Sequence, residues 1–406
     1  MTVAQYAMML VIAWQTYDIS RNAGMSVAEA SGRLALIGLL QFVPLFLLTP
    51  FSGLAADRLN RKTVARLTVM LQLGCAILLA YLTREDLLTV SWLFAVAISL
   101  GIARAFNGPA LSALAPNLVP KAILPNAIAL SSISWQAGMI AGPALGGYTH
   151  ALIPFLPYGV AAGLFIIAII ALGLIGDVPR SPISGAQRPV HQIVQGWRYV
   201  MNNKMVLGAI TLDLFAVFLA GATALFPVYA RDILQVGETG LSQLAMAPAI
   251  GAVVSATWFS FRPLRTGVGP KMLVAVAVFG VATIVFGFST SMPLSLAMLF
   301  IVGAADMFSV YIRQSLVQLH TPDEMRGRVS SASLLTISAS NEGGDAFSGW
   351  LASVVGPVAA VVAGGVGAIV TVALWARLFP VLRNTRTFDP RALQEPPEQT
   401  LQEQIP

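Results

Sequence analysis

The feature that most constrains this chain is an apolar run of about 20 residues that recurs, between short polar breaks, from one end to the other. Coiled as a helix at ~1.5 Å per residue, such a run crosses the ~30 Å hydrocarbon core of a bilayer. Reading breaks against runs gives twelve spans, near 1–17, 34–55, 64–82, 88–112, 124–148, 155–176, 204–230, 238–260, 271–288, 293–316, 328–352 and 357–380. A soluble domain carries about 25% charged residues, whereas here 10% are charged and 56% hydrophobic. The expectation is an all-α polytopic membrane protein with the lipid bilayer as its surroundings. The net charge of +6 is not a sign of nucleic-acid binding, because cytoplasmic loops of membrane proteins collect Lys and Arg. Cys75 lies inside an apolar run and has no second cysteine to pair with, which makes it a packing residue.

Basic residues orient the spans. With Arg58, Arg61, Lys62 and Arg66 placed in the cytoplasm, eighteen loop cations fall on that side, and only Arg21, Arg33, Arg84 and Arg231 fall on the other. Both termini and the central linker are then cytoplasmic. Residues 1–17 reach only about 25 Å and have no basic lead, the pattern of a first helix truncated at its N-terminus, with its opening turns upstream.

The polar stretch between spans six and seven divides the chain into an N-terminal six-helix bundle (1–176), a linker (177–203) and a C-terminal six-helix bundle (204–380), followed by a polar, Pro-rich tail (381–406) expected to be disordered. In the linker, Val190, Ile193, Val194, Trp197, Val200 and Met201 recur at helical spacing. That pattern suits an amphipathic helix, either on the membrane interface or packed on the ends of the bundles. Six plus six suggests a duplication. An offset of 202 aligns Gly101 with Gly303, Ala103 with Ala305, Phe106 with Phe308, Leu114 with Leu316, Pro120 with Pro322, Ser131 with Ser333, Gly142 with Gly344 and Gly147 with Gly349.

Three stretches carry a family resemblance. "GLAADRLNRK", holding Gly53, Asp57, Arg58, Arg61 and Lys62, resembles the loop 2–3 signature of the major facilitator superfamily. "RAFNG", from Arg104 to Gly108, is similar to its span 4 signature, and "GMIAGPALGG" (138–147) to the span 5 signature of its antiporters. "ARAFNGPALSALAPNLVP" and "QLHTPDEMRGRVSS" resemble the branch that includes enterobactin exporters and macrolide efflux proteins. The resemblance implies twelve helices in two bundles of one monomeric chain, a central cavity, and alternation between inward-open and outward-open states in a bacterial inner membrane. It casts Asp57 with its basic neighbours as a cytoplasmic latch, and Gly138, Gly142, Pro143, Gly146 and Gly147 as bundle-interface packing. Asn60 stands where the broader pattern has Gly, a change a left-handed turn tolerates.

Six ionisable residues fall within spans: Arg104, Asp213, Asp306, Arg313, Glu342 and Asp345. Each costs ~2.5–3.5 kcal/mol at a helix centre on insertion scales, so such groups face a cavity or a partner. Asp306 and Arg313, seven apart, share a face of span 10; Glu342 and Asp345, three apart, share a face of span 11. These residues are candidates for proton coupling or substrate contact, or else form buried ion pairs. Trp14, Tyr17, Trp135, Phe215, Phe218 and Phe226 are candidates to stack on a lipophilic substrate. His150 and His320 are expected in loops. No metal-ligand spacing, phosphate-binding glycine loop or nucleophile elbow is present, so no cofactor, metal or enzymatic activity is expected. The chain reads as a proton-coupled exporter of a small organic compound. The alternatives are an importer or facilitator of the same fold, or a transport-inactive sensor or scaffold.

Overall fold

A computed structural model describes residues 1–58, 60–114, 124–175, 189–262, 264 and 266–388, with the side chains of residues 53–58, 109, 110, 112–114 and a few others outside the description. The described residues are helical, without strands. The first half holds α1 (Thr2–Asn22), α2 (Val27–Arg58), α3 (Arg61–Arg84), α4 (Val90–Leu114), α5 (Leu124–Leu152) and α6 (Leu156–Leu174). Then come α7 (Pro189–Asn202), α8 (Lys204–Leu219), α9 (Phe226–Val228), α10 (Gly237–Phe261), α11 (Val268–Phe288), α12 (Met292–Leu319), α13 (Asp323–Val355), α14 (Pro357–Leu378) and α15 (Pro380–Asn384). Span seven is therefore broken: α8 ends at Leu219, and a 3₁₀ turn (Ala222–Leu225), α9 and a π-turn (Tyr229–Ile233) complete the crossing. Gly221 and Pro227 supply the irregular backbone there.

Among the described residues nine segments are long and apolar enough to cross a membrane. The rest of the expected twelve are α1, α5 and α13, whose polar residues lower their mean hydropathy but which pack among the other nine. The offset of 202 carries α4's start at Val90 onto α12's start at Met292, and α1 onto α8. Repeated glycines sit at contacts between corresponding helix pairs. A Cβ on Gly142 would meet Val3 and Tyr6 of α1, and one on Gly344 would meet Val217 and Phe218 of α8. A Cβ on Gly147 would meet Glu238 and Ser242 of α10, and one on Gly349 would meet Ala35 of α2. The two halves are thus built to one plan, with small residues where helices must approach closely.

Each bundle has its own apolar core. One gathers Met8, Val11, Val69, Leu79, Leu93 and Phe165; the other gathers Val206, Ile210, Leu212, Met272, Ile312 and Leu316. A third cluster joins the bundles, packing Trp14, Tyr17 and Leu34 against Phe226, Tyr229 and Leu244. It lies at the end that carries the α1–α2, α3–α4 and α5–α6 turns, hereafter the turn end. At the opposite, linker end the bundles part. Residues 130–135 of α5 are all exposed there. Phe46, Leu47 and Phe51 of α2 are also exposed there.

Four expectations need adjustment. Leu382 is fully buried in the C-terminal core, and Gly269 N–H donates to Thr385 O at 3.0 Å. Order therefore continues to residue 388, because this short segment caps the linker end of α11; residues 389–406 lie outside the description. Asn60 adopts extended backbone (φ −67°, ψ 113°) and its side chain accepts from Lys62 N–H at 3.0 Å, so it serves as an N-cap for α3 and not as a left-handed turn residue. His150 lies within α5, buried, and not in a loop. Gly138, Gly142 and Gly146 face α1 inside their own bundle, and of the span 5 glycines only Gly147 faces the other bundle. The linker helix α7 rests on the C-terminal bundle: Val200 is fully buried and Tyr199 donates to His320 O at 2.8 Å.

Candidate transport site and gate

Among the described residues the six intramembrane ionisable groups fall into two ion pairs and two carboxylates, Asp306 and Asp345, that form no ion pair. Arg104 of α4 meets Glu342 of α13 at 2.6 Å, across the seam between the bundles. Counted along the helices, Arg104 is 14 residues from the turn end of α4 and Glu342 is 13 from that of α13. Both therefore lie ~20 Å in, near mid-depth. Tyr6 stands beside this pair, with its ring edge-on to Trp135 at 6.1 Å. The pair has only slight access to solvent on the Glu342 side (11% exposed) and more on the Arg104 side (32%).

The second pair, Arg313 of α12 with Asp213 of α8, lies wholly inside the C-terminal bundle, and both side chains are almost fully buried. It borders a cavity of about 240 Å³ whose wall includes Gln314, Gln318, Ser330, Ser333 and Thr336. Asp306, Ser309 and Arg313 follow at spacings of three and four, so Asp306 shares the inward stripe of α12. Asp306 is half-buried, and among the described residues no cation lies within ion-pair distance of it. Asp345 accepts a hydrogen bond from Thr223 Oγ1 at 2.5 Å, in the 3₁₀ turn that interrupts span seven. Arg313 thus pairs with Asp213 and not with Asp306 on its own helix, and Glu342 pairs with Arg104 of the other bundle.

The aromatic candidates separate as well. Phe218 stacks on Phe347 at 5.3 Å and packs on Gly343 and Gly344 of α13. Trp14, Tyr17 and Phe226 belong to the buried cluster that joins the bundles, and Phe215 stacks on Trp375 within the C-terminal bundle. From the loop 2–3 stretch, Lys62 Nζ donates to the carbonyls of Gly173 (3.3 Å) and Ile175, tying α3 to the last turn of α6. A cation at a helix C-terminus also complements the helix dipole. The backbones of Gly53, Asp57 and Arg58 lie in α2 and Arg61 opens α3, but the side chains of Gly53, Asp57 and Arg58 are outside the description.

The turn end holds an assembly that sequence reasoning missed. Asp232, in the π-turn, accepts from Tyr17 Oη and pairs with Arg21 at 3.1 Å. Arg231 pairs with Asp18 at 2.7 Å and donates to Asn22 at 2.7 Å. His150 of α5 lies 3.6 Å from Glu238 of α10, with Gln15 on its other ring nitrogen at 3.3 Å. Tyr148 accepts from Gln243 at 3.1 Å. All four links join one bundle to the other. A signal was present: Arg21 and Arg231 were two of the four exceptions to the basic-residue count, and a cation on the wrong side calls for a partner.

This layout is that of a two-bundle membrane transporter, locked at one end and open at the other. A sequence profile of the family described as "Transmembrane secretion effector" matches residues 9–406. The "Multidrug efflux pump Tap" of Mycobacterium tuberculosis is 28% identical over 316 residues, covering 74% of each chain. The "Enterobactin exporter EntS" of Escherichia coli is 25% identical over 397 residues, covering 95% of this chain and 88% of the relative. Among solved structures, the nucleoside transporter NupG superposes with a TM-score of 0.70 at 12% identity, covering 93% of this chain and 98% of its own. A bacterial homologue of the lysosomal transporter Spinster superposes with a TM-score of 0.68 at 16% identity, covering 95% and 97%. The chain belongs to the transmembrane secretion effector family of the major facilitator superfamily.

Proposed function

We propose that this protein is a secondary active transporter that exports a small organic compound from the bacterial cytoplasm by alternating access, driven by inward proton flow. One observation carries the reading: a seam sealed at the turn end by four polar links and an apolar cluster, and parted at the linker end. Eighteen basic residues assign the linker end to the cytoplasm, so the conformation is inward-open. The names of the two curated relatives favour efflux over uptake.

The chemistry needs groups whose protonation favours one state over the other. Glu342, Asp345 and Asp306 stand at mid-depth, where a proton arriving from outside displaces substrate or weakens the hold of Arg104 on Glu342. In the outward-open state the linker ends close, and there Asp57 serves as the latch, accepting from a helix N-terminus or a basic group of the opposite bundle. The protein acts as a monomer, since one chain supplies both bundles.

The test is flux in proteoliposomes of the full chain under an imposed pH gradient, using a fluorescent lipophilic compound. The expected result is uphill movement opposite to the protons, abolished in Asp306→Asn with normal expression. Movement in the same direction as protons would assign an importer. Unimpaired pH-driven transport by Asp306→Asn would remove that residue from coupling.

A further inference from the structure

We propose that His150 is a proton-binding site of the turn-end gate, and that the proton it takes from outside favours the closed turn end. The inference rests on the efflux reading and names a regulator of its cycle. His150 of α5 belongs to a chain of side chains that starts in one bundle and ends in the other. Tyr158 Oη of α6, fully buried, lies 2.7 Å from Gln15 Oε1 of α1 and donates to it. That contact orients the amide, so Gln15 Nε2 faces His150 Nε2 at 3.3 Å. An amide N–H needs a bare ring nitrogen there, which leaves the hydrogen of the neutral imidazole on Nδ1. Across the seam, Glu238 Oε1 of α10 stands 3.6 Å from Nδ1. At that distance no hydrogen bond forms, and Nδ1 is a buried polar atom without a hydrogen-bond partner among the described residues. Trp14 of α1 also faces the Glu238 carboxylate as a donor.

A proton changes this arrangement in one direction. The imidazolium donates from both nitrogens. Nδ1–H makes a charge-assisted bond to Glu238 once the gap closes by about 0.8 Å. Nε2–H then needs an acceptor, and the Gln15 amide supplies one by turning over, with its NH2 on the Tyr158 oxygen. The cost is a Tyr158 hydroxyl hydrogen without its acceptor. The gain is an ion pair across the seam between side chains 9% and 33% exposed. The other titratable groups nearby are engaged: on α1, Tyr17 with Asp232 and Asp18 with Arg231, and on α5 itself Tyr148 with Gln243. From α6 and α10 the groups facing His150 are Tyr158, through Gln15, and Glu238. When the turn end opens, Glu238 leaves with its own bundle while His150 stays with Gln15 and Tyr158. The closed form therefore holds the proton more tightly than the open form, and by linkage the proton favours closure. This contribution is fully present below about pH 6.5, where a free imidazole is charged, and fades as pH rises above it. An exporter driven by incoming protons needs that sign, since a proton met in the outward-open state then closes the gate behind it.

The experiment follows the distance between spin labels on Leu87→Cys and Leu294→Cys, exposed turn-end positions of opposite bundles. The full chain carries Cys75→Ala and is measured between about pH 5.5 and pH 8, either side of the imidazole range. The expected result is a closed-to-open ratio at least fivefold higher at the acid end, with less than twofold change in both His150→Gln and Glu238→Gln. Histidine-labelled protein gives a second reading by NMR. The chain has three histidines, so the His150 resonance is identified by its loss in His150→Gln, and it should titrate at higher pH in the parent than in Glu238→Gln. An equal pH response in the parent and both variants overturns the inference. So does a His150 titration that Glu238→Gln leaves unmoved, or a closed fraction that falls on acidification. Absence of pH-driven flux with this pH response intact would sink the efflux reading and leave the proton site standing.

Discussion

The turn-end lock gives a prediction whose size follows from its contacts. Asp232→Ala removes the Arg21 pair at 3.1 Å and the hydrogen bond from Tyr17. The paired side chains are 26% and 22% exposed, so the ion pair is worth about 1 kcal/mol, the upper part of the surface range. A hydrogen bond to a charged acceptor from buried Tyr17 adds about 1.5 kcal/mol. Allowing for partial replacement by water, the closed turn end loses ~2 kcal/mol, a roughly thirtyfold shift in the equilibrium between the two states. The assay is the distance between spin labels on Leu87→Cys and Leu294→Cys, two exposed positions at the turn end of opposite bundles, after Cys75→Ala has removed the only native cysteine. Asp232→Ala should transfer a large share of the distribution to longer distances. Asp18→Arg alone should do the same, and the swap Asp18→Arg/Arg231→Asp should restore the closed form. An unchanged distribution in Asp232→Ala would refute the reasoning, showing that the remaining links and the apolar cluster hold the turn end closed without Asp232.

Other consequences can be checked separately. Gly147→Leu places carbon where Glu238 O would lie 2.5 Å from its Cβ; the same spin-label pair should report a turn end that no longer closes. Arg104→Gln leaves Glu342 in the seam without its cation and should cost ~3 kcal/mol, the low end for breaking a buried pair because Arg104 keeps some exposure. The double variant Arg104→Gln/Glu342→Gln should recover most of the lost thermal stability, and failure to recover would show that the pair acts independently. Lys62→Ala removes both links to the last carbonyls of α6 and should lower the melting temperature by an amount equivalent to ~1 kcal/mol.

How much of this was legible in the sequence depends on range. Apolar runs are a local property, and nine of the described helices are long and apolar enough to be read from them, whereas α1, α5 and α13 are not marked by apolarity alone. The break in span seven was not legible, because Gly221 and Pro227 are also tolerated in continuous membrane helices. Glycines aligned by the offset of 202 fall on corresponding helix pairs, Gly142 of α5 on α1 and Gly344 of α13 on α8, though at different levels of those helices. Pairing was a different matter. Arg104 and Glu342 are 238 residues apart, and Arg313 had Asp306 two turns away on its own helix. Spacing along one helix favours the wrong partner when the true one comes from a neighbouring helix. The lock residues escaped for a related reason: Asp18, Arg21, Arg231 and Asp232 look like ordinary loop charges until the two bundles are brought together.

The duplication supplies a frame that the charges then break. At the offset of 202, Arg104 corresponds to Asp306, Glu342 to Ile140, Asp345 to Pro143, Asp213 to Val11 and Arg313 to Leu111. The helix crossings are shared by both halves, but every intramembrane acid belongs to the second. Selection for packing would keep the halves alike, so the difference marks where the chemistry resides. The Arg104–Glu342 pair is where the two requirements meet. Rocking of the bundles about mid-depth moves the turn ends and linker ends by large distances and the pivot by little. A pair placed at the pivot of such a motion stays within reach in both states, so it braces the seam without selecting between them. Glu342→Gln should therefore lower thermal stability while leaving the turn-end spin-label distribution largely unchanged. If that variant instead freezes the molecule in one state, the pair does select between the two conformations and is more than a strut.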